Sequence, residues 1–195
     1  MIRYFANLCK AVLKNLNDDA IFEDATNKFQ CRENKCPRCG VVGRLSPYSD
    51  YSRGFVYRRD EKTFNRRIRP LRFKCASCKS THALLPDIII PYSPYTLTFM
   101  LTVLIAYFER DTTVIMICER FEIAVSTLYA WKERLSAHMG LLLGILASLK
   151  APALEFLRGL IESDDISDVL RGFYRRYAFS FLQNRSAKTT QYIPP

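Results

Sequence analysis

Cys36-Pro37-Arg38-Cys39-Gly40 and, 35 residues further on, Cys75-Ala76-Ser77-Cys78-Lys79 decide how this chain is read. Two thiolates three residues apart on a tight turn can reach one ion at about 2.3 Å, and a trailing glycine relaxes the backbone at the turn. Two such turns brought together by a β-hairpin complete a closed tetrahedral S₄ site. Four thiolates leave no open position, so the pattern predicts one structural Zn²⁺ held by Cys36, Cys39, Cys75 and Cys78. Its binding energy would double as folding energy for a segment with little apolar core of its own. Cys31 and His82 lie close enough in sequence to compete for the ion. With four thiolates available, His82 is expected to be a packed or hydrogen-bonded histidine.

The charge around these cysteines is lopsided. Arg32 to Lys79 holds fourteen Lys/Arg against four Asp/Glu, so the whole net charge of +10 lies in that stretch and the remaining residues balance. A concentrated basic patch favours a polyanion through phosphate neutralisation and counterion release. The alternation of Ile68, Leu71 and Phe73 with Arg67, Arg69, Arg72 and Lys74 predicts a half-exposed strand with a basic face. Tyr48, Tyr51, Phe55, Tyr57 and Phe73 interleave with the arginines, which fits hairpin core packing and also base stacking on a single strand.

Working outward, residues 1–30 carry apolar positions at helical spacing and predict an N-terminal helical segment; residues 31–91 form the zinc ribbon. The three prolines between Pro86 and Pro94 predict an extended linker. Ser93-Pro94 supplies a helix start leading into Tyr95–Arg110, and Asp111 or Thr112 a cap for the next helix. Residues 92–140 read as a helical domain. Residues 141–195 read as further helices, one running from Ser163-Asp164-Asp165 to about Asn184, and a frayed tail. The expected fold class is α+β: a small β zinc ribbon, then an all-α helix-turn-helix domain with additional C-terminal helices. The hydrophobic share of 49% is ample for such cores.

Thr113 to Leu135 shows two helical apolar patterns across a short turn. Val114, Ile117, Cys118 and Phe121 line one face, Leu128, Trp131 and Leu135 the next, with Ile123 as the plug between them. Such an arrangement would turn Val125, Ser126, Thr127, Tyr129, Ala130 and Lys132 outward toward a major groove. Ile117, Cys118, Phe121, Ile123, Ser126, Thr127, Tyr129 and Trp131 resemble the helix-turn-helix of transposases and their relatives, with Glu122 at the usual turn glycine and Ala124 at the usual N-cap serine. Residues 30–140 resemble the N-terminal zinc-ribbon plus helix-turn-helix module of insertion-sequence transposases. They also resemble an uncharacterised family of short bacterial proteins with the elements Cys36–Cys39, Cys75–Pro86 and Pro91–Ser93. The resemblance implies a transposase-related or mobile-element-associated regulator.

The acids that a metal-dependent transposition enzyme requires are not evident. Asp164, Asp165 and Asp168 gather at one helix start, where they cap orphan N–H groups. No Ser/His/Asp set or phosphate-cradling loop is seen, so a non-enzymatic protein is expected. The expected partner is double-stranded DNA, with no membrane and no small-molecule substrate. Arg58, Arg59, Arg66, Arg67, Arg69, Arg72 and Lys74 would grip phosphates, and the helix from Val125 would read bases. The alternative is a protein-interaction adaptor whose ribbon docks on a transposase or polymerase. Residues 141–184 are expected to pack on Tyr95–Arg110 or to form a homodimer interface. The start of the chain lacks a secretory pattern and its longest apolar runs fall short of the roughly 20 residues that span a bilayer. A cytoplasmic, nucleoid-associated location is therefore expected.

Overall fold

The computed structural model describes residues 2–4, 27, 29–143, 153–163 and 166–184. These form strands β1 (Ile2–Tyr4), β2 (Leu45–Asp50), β3 (Arg53–Arg59), β4 (Lys62–Ile68), β5 (Leu71–Cys75) and β6 (Thr81–Pro86). Helices α1 (Leu97–Glu109), α2 (Val114–Phe121), α3 (Val125–Leu143), α4 (Ala153–Glu162) and α5 (Ile166–Tyr177) follow. The class is α+β, with the strands ahead of the helices.

The strands make two sheets. One runs β1-β6-β5-β2, with β1 parallel to β6 and the other neighbours antiparallel; β3 and β4 form a separate hairpin. The basic run expected as one strand is thus divided. Ile68 closes β4 and Leu71 opens β5, because Pro70 has no N–H to continue a ladder. The β3–β4 hairpin turns on Asp60 and Glu61, both at positive φ (46° and 60°), which matches the twist of a two-residue loop between Arg59 and Lys62. Of the expected N-terminal helical segment, Ile2–Tyr4 is strand β1, Asn27 is helical, and Phe29 and Gln30 are irregular. Residues 1, 5–26 and 28 lie outside the described residues, as does the frayed tail.

Two apolar cores result. The smaller gathers Ile2, Phe29, Leu45, Phe73 and Leu84 around Cys36 and Cys75. The larger is built on α1, whose Leu97, Phe99, Met100, Leu101, Val103 and Leu104 are all buried. A helix buried to that extent must be covered on several sides, and α2, α3, α4 and β3 supply the cover. Phe55, Val56, Tyr57 and Ile68 of the β3–β4 hairpin belong to this larger core, although they sit inside the basic stretch of sequence.

The segment Pro86 to Pro94 is not an extended linker. Ile88, Ile89 and Ile90 are buried to 2% exposure or less, and Ile89 bridges to Thr96. Removing three isoleucine side chains from water outweighs the extended preference of the flanking prolines. Beside them the buried Asp87 accepts the backbone N–H of Ile88 (3.0 Å) and the hydroxyl of Ser167 (2.6 Å), which ties the end of β6 to α5.

Helix α1 starts later than Ser93-Pro94 predicts. Pro94 C=O accepts from Val56 N–H (2.8 Å) and Thr96 N–H donates to Val56 C=O (2.9 Å), so Tyr95 is held extended and parallel alongside β3. Thr96 is the cap instead, accepting from Phe99 N–H at 3.2 Å. Likewise Thr113, not Asp111 or Thr112, caps α2 by accepting from Met116 N–H. At the far end α5 stops at Tyr177, short of Asn184, because Ala178 adopts the left-handed conformation (φ 57°). The chain then turns back to bury Phe179, Phe181 and Leu182 around His138, whose Nδ1 accepts Leu182 N–H at 2.9 Å. Helix α4 lies on α1, with Arg158 paired to Glu109 at 2.6 Å. Asp164 and Asp165 lie outside the described residues; Asp168 sits in the first turn of α5 and pairs with Arg171 at 2.8 Å.

Candidate metal centre and basic faces

Both Cys-x-x-Cys turns have the same backbone. In the first, Gly40 N–H donates to Cys36 C=O (2.9 Å), with Gly40 at φ 72°. In the second, Lys79 N–H donates to Cys75 C=O (3.0 Å), with Lys79 at φ 60°. A lysine therefore occupies a left-handed position that glycine fills in the other turn. The turns are also joined directly, by Ala76 N–H to Arg44 C=O (2.8 Å) and by Arg38 to the Ser80 hydroxyl (2.7 Å).

The result is one cluster in which the Sγ atoms of Cys36, Cys39, Cys75 and Cys78 all lie within 4.8 Å of one another. Cys36 and Cys78 are 3.6 Å apart, and Cys39 and Cys75 3.7 Å. Ligand bonds of about 2.3 Å in a tetrahedron put the sulfurs about 3.8 Å apart, so the donor set fits one ion. Cys36 and Cys75 are buried and Cys39 exposed, which places the cluster at the rim of the small core.

The thiols are not equivalent. Hydrogen bonds from the Ser80 hydroxyl and backbone bring Cys78 down to about 6, whereas burial pushes Cys36 up to about 11. A cation that neutralises the sulfurs removes the burial cost that keeps Cys36 protonated.

Neither competitor is part of the cluster. Cys31 is half-buried and packs on the edge of the small core. His82, at 7% exposure, points its Nε2 at Cys36 Sγ from 3.3 Å. Burial holds the imidazole down at about 4, so the ring is neutral at ordinary pH.

The basic residues are spread over several faces. Arg58 lies 4.3 Å over the Phe121 ring and donates to Arg120 C=O (3.2 Å), joining the hairpin to α2. Arg59 meets Asp60 (3.4 Å), Arg67 donates to Ser52 (2.7 Å) and Arg69 pairs with Asp50 (2.9 Å). Arg66 is exposed. Arg72 lies over Tyr51 and Lys74 over Tyr48, at 4.6 and 4.9 Å, on the sheet face away from the thiols. Of the interleaved aromatics, Phe55, Tyr57 and Phe73 are core and Tyr48 is surface.

In the second region, Phe121 and Trp131 meet the ring of Phe99 edge-on, which fixes α2 and α3 against α1. Glu122 ends α2 in the left-handed conformation (φ 55°), and Ile123 N–H returns to Cys118 C=O at 3.0 Å. Ala124 opens α3, its carbonyl accepting from Thr127 and Leu128. Leu128, Trp131 and Leu135 are buried. Val125, Ser126 and Tyr129 are exposed, and Thr127, Ala130 and Lys132 half-buried. Lys132 Nζ lies 5.6 Å from the Tyr107 ring and 5.8 Å from the Tyr129 ring.

Neither composition nor periodicity marks out Arg53 or Tyr92. Arg53 donates to the carbonyls of Ile90 and Ser93, and Tyr92 between them is 84% exposed at φ 62°. A bulky residue in that conformation is visible only in three dimensions.

A family described as a domain of unknown function (DUF6431) matches residues 36–131, just under half of the chain. The span opens on the first cluster cysteine and closes on Trp131. No curated protein and no solved structure matches. Among the described residues no helix is long and apolar enough to cross a membrane.

Proposed function

We propose that the chain is a zinc-dependent DNA-binding protein, a regulator related to transposases or associated with mobile elements, acting by binding and not by catalysis. The observation that carries this is the α2–α3 corner. Phe99, Phe121 and Trp131 lock it, and the N-terminal half of α3 stands out from the protein with Val125, Ser126 and Tyr129 exposed. In this reading α2 and α3 are a helix-turn-helix and α3 enters a major groove, where Thr127 and Lys132 complete the contact set. Arg59, Arg66, Arg67, Arg69, Arg72 and Lys74 grip phosphates, while Arg58 braces the hairpin against α2. The ion is Zn²⁺, which matches an all-thiolate tetrahedral donor set, and its role is structural.

A second reading, the protein-interaction adaptor, draws on two residues of α2. Ile115 and Met116 are 64% and 57% exposed, and large apolar side chains left open to solvent suit a protein surface.

A mobility shift with genomic fragments across a salt series, using wild type, Cys36→Ser and Tyr129→Ala, separates the two. DNA binding predicts a steep salt dependence, loss of all binding in Cys36→Ser and loss of selectivity in Tyr129→Ala. Equal behaviour of all three proteins overturns it in favour of the adaptor.

A further inference from the structure

The sheet face opposite the thiols is built unlike the rest of the basic surface. On β5, Arg72 and Lys74 are two residues apart and so point the same way, about 7 Å from each other. Each lies over a tyrosine, Arg72 over Tyr51 and Lys74 over Tyr48. The register of β2 slips between Pro47 and Ser49, which leaves Tyr48 as the extra residue of a bulge, 57% exposed. Bulges re-aim side chains. A cation covering one face of a ring leaves the other face open and makes it a better seat for an electron-rich planar group.

Next to these pairs is a cavity of 520 Å³, lined by Tyr51, Arg72, Thr81 and Ala83 on one side and by Tyr92 and Pro94 on the other. None of its lining residues is acidic. Arg53 spends its guanidinium on the carbonyls of Ile90 and Ser93, so the loop that carries Tyr92 is fixed in place with the ring outward. Three tyrosines, two cations and a hollow of nucleotide size with both polar and apolar lining therefore share one face.

We infer that this face binds an unpaired nucleic-acid strand, with bases stacked on Tyr48, Tyr51 and Tyr92, phosphates on Arg72 and Lys74, and one base seated in the cavity. Alternating aromatic and cationic groups on an open sheet are how sequence-tolerant single-strand binders work. The site goes beyond duplex reading by α3 and does not depend on it. A duplex keeps its bases stacked inside and offers nothing for these rings.

The test uses the full-length, metal-loaded protein and two fluorescent probes, a dodecamer of thymidylate and one of uridylate, read by anisotropy. Tyr48→Ala, Tyr51→Ala and Tyr92→Ala change no charge, so any general attraction to a polyanion is unaltered. Each alanine variant is expected to weaken the better-bound probe by at least about fivefold, with the phenylalanine variants retaining wild-type affinity. Tyr129→Ala should leave this binding unchanged, whatever it does to duplex selectivity. Photocross-linking of an iodouracil-substituted strand to the wild type should map to the peptides holding these three tyrosines. The inference is overturned if wild type binds neither probe, if the alanine variants bind as wild type does, or if cross-links fall elsewhere.

Discussion

His82 sets its Nε2 3.3 Å from the Sγ of Cys36, on the buried side of the thiol cluster. A neutral imidazole there can donate its N–H to a metal-bound thiolate and stabilise the charge that the sulfur keeps. His82→Ala is expected to lower metal affinity about 10- to 100-fold in a chelator competition while leaving one ion bound per chain at saturation. An unchanged affinity would show that His82 is only packing.

Metal removal should divide the molecule along its two cores. The small core around Cys36 and Cys75 has few apolar side chains, whereas α1 is surrounded by a large one. Stripping the ion is expected to erase amide-exchange protection in β2 and β5 and to leave α1 and the buried face of α3 protected. Uniform loss across both regions would mean that the ion holds the entire fold.

Thiol reactivity offers a pH-dependent check. Burial raises the Cys118 thiol above its ordinary range, so at pH 8 less of it is thiolate than in the unfolded chain. Alkylation of Cys118 in the native protein should be about tenfold or more slower than in denaturant, and should speed up as pH rises. Rapid labelling at pH 8 would contradict the closed α1–α2 packing.

Glu122 occupies a conformation that costs an L-residue energy and costs glycine little. Glu122→Gly is expected to stabilise the protein by about 0.5–1 kcal/mol, which at this size is about 1–4 °C in Tm. A lower Tm would show that the side chain's attraction to nearby cations, Arg58 among them, outweighs the backbone term.

Much of this protein is legible in its residues because the constraints are local. Two thiols three apart need a tight turn, and the periodicity of Ile117, Phe121, Leu128, Trp131 and Leu135 marks which side chains are buried. Helix starts are less local. Ser93, Asp111 and Thr112 are as chemically able to cap as Thr96 and Thr113, and which residue leaves the extended conformation depends on partners such as Val56, distant in the chain.

What the amino-acid order determined by itself was the four-thiol donor set, the basic stretch around it and the amphipathic pattern of α2 and α3. Tertiary structure alone decided the rest. It sent Phe55 and Tyr57 into the helical core and Tyr48 to the surface, and it buried Ile88–Ile90 between prolines that read as a linker. It also turned Tyr92 outward beside Arg72. The physical reason is range: a turn or a helix face is set by residues within a few positions, whereas a side chain's burial is set by whichever surfaces the whole chain brings against it.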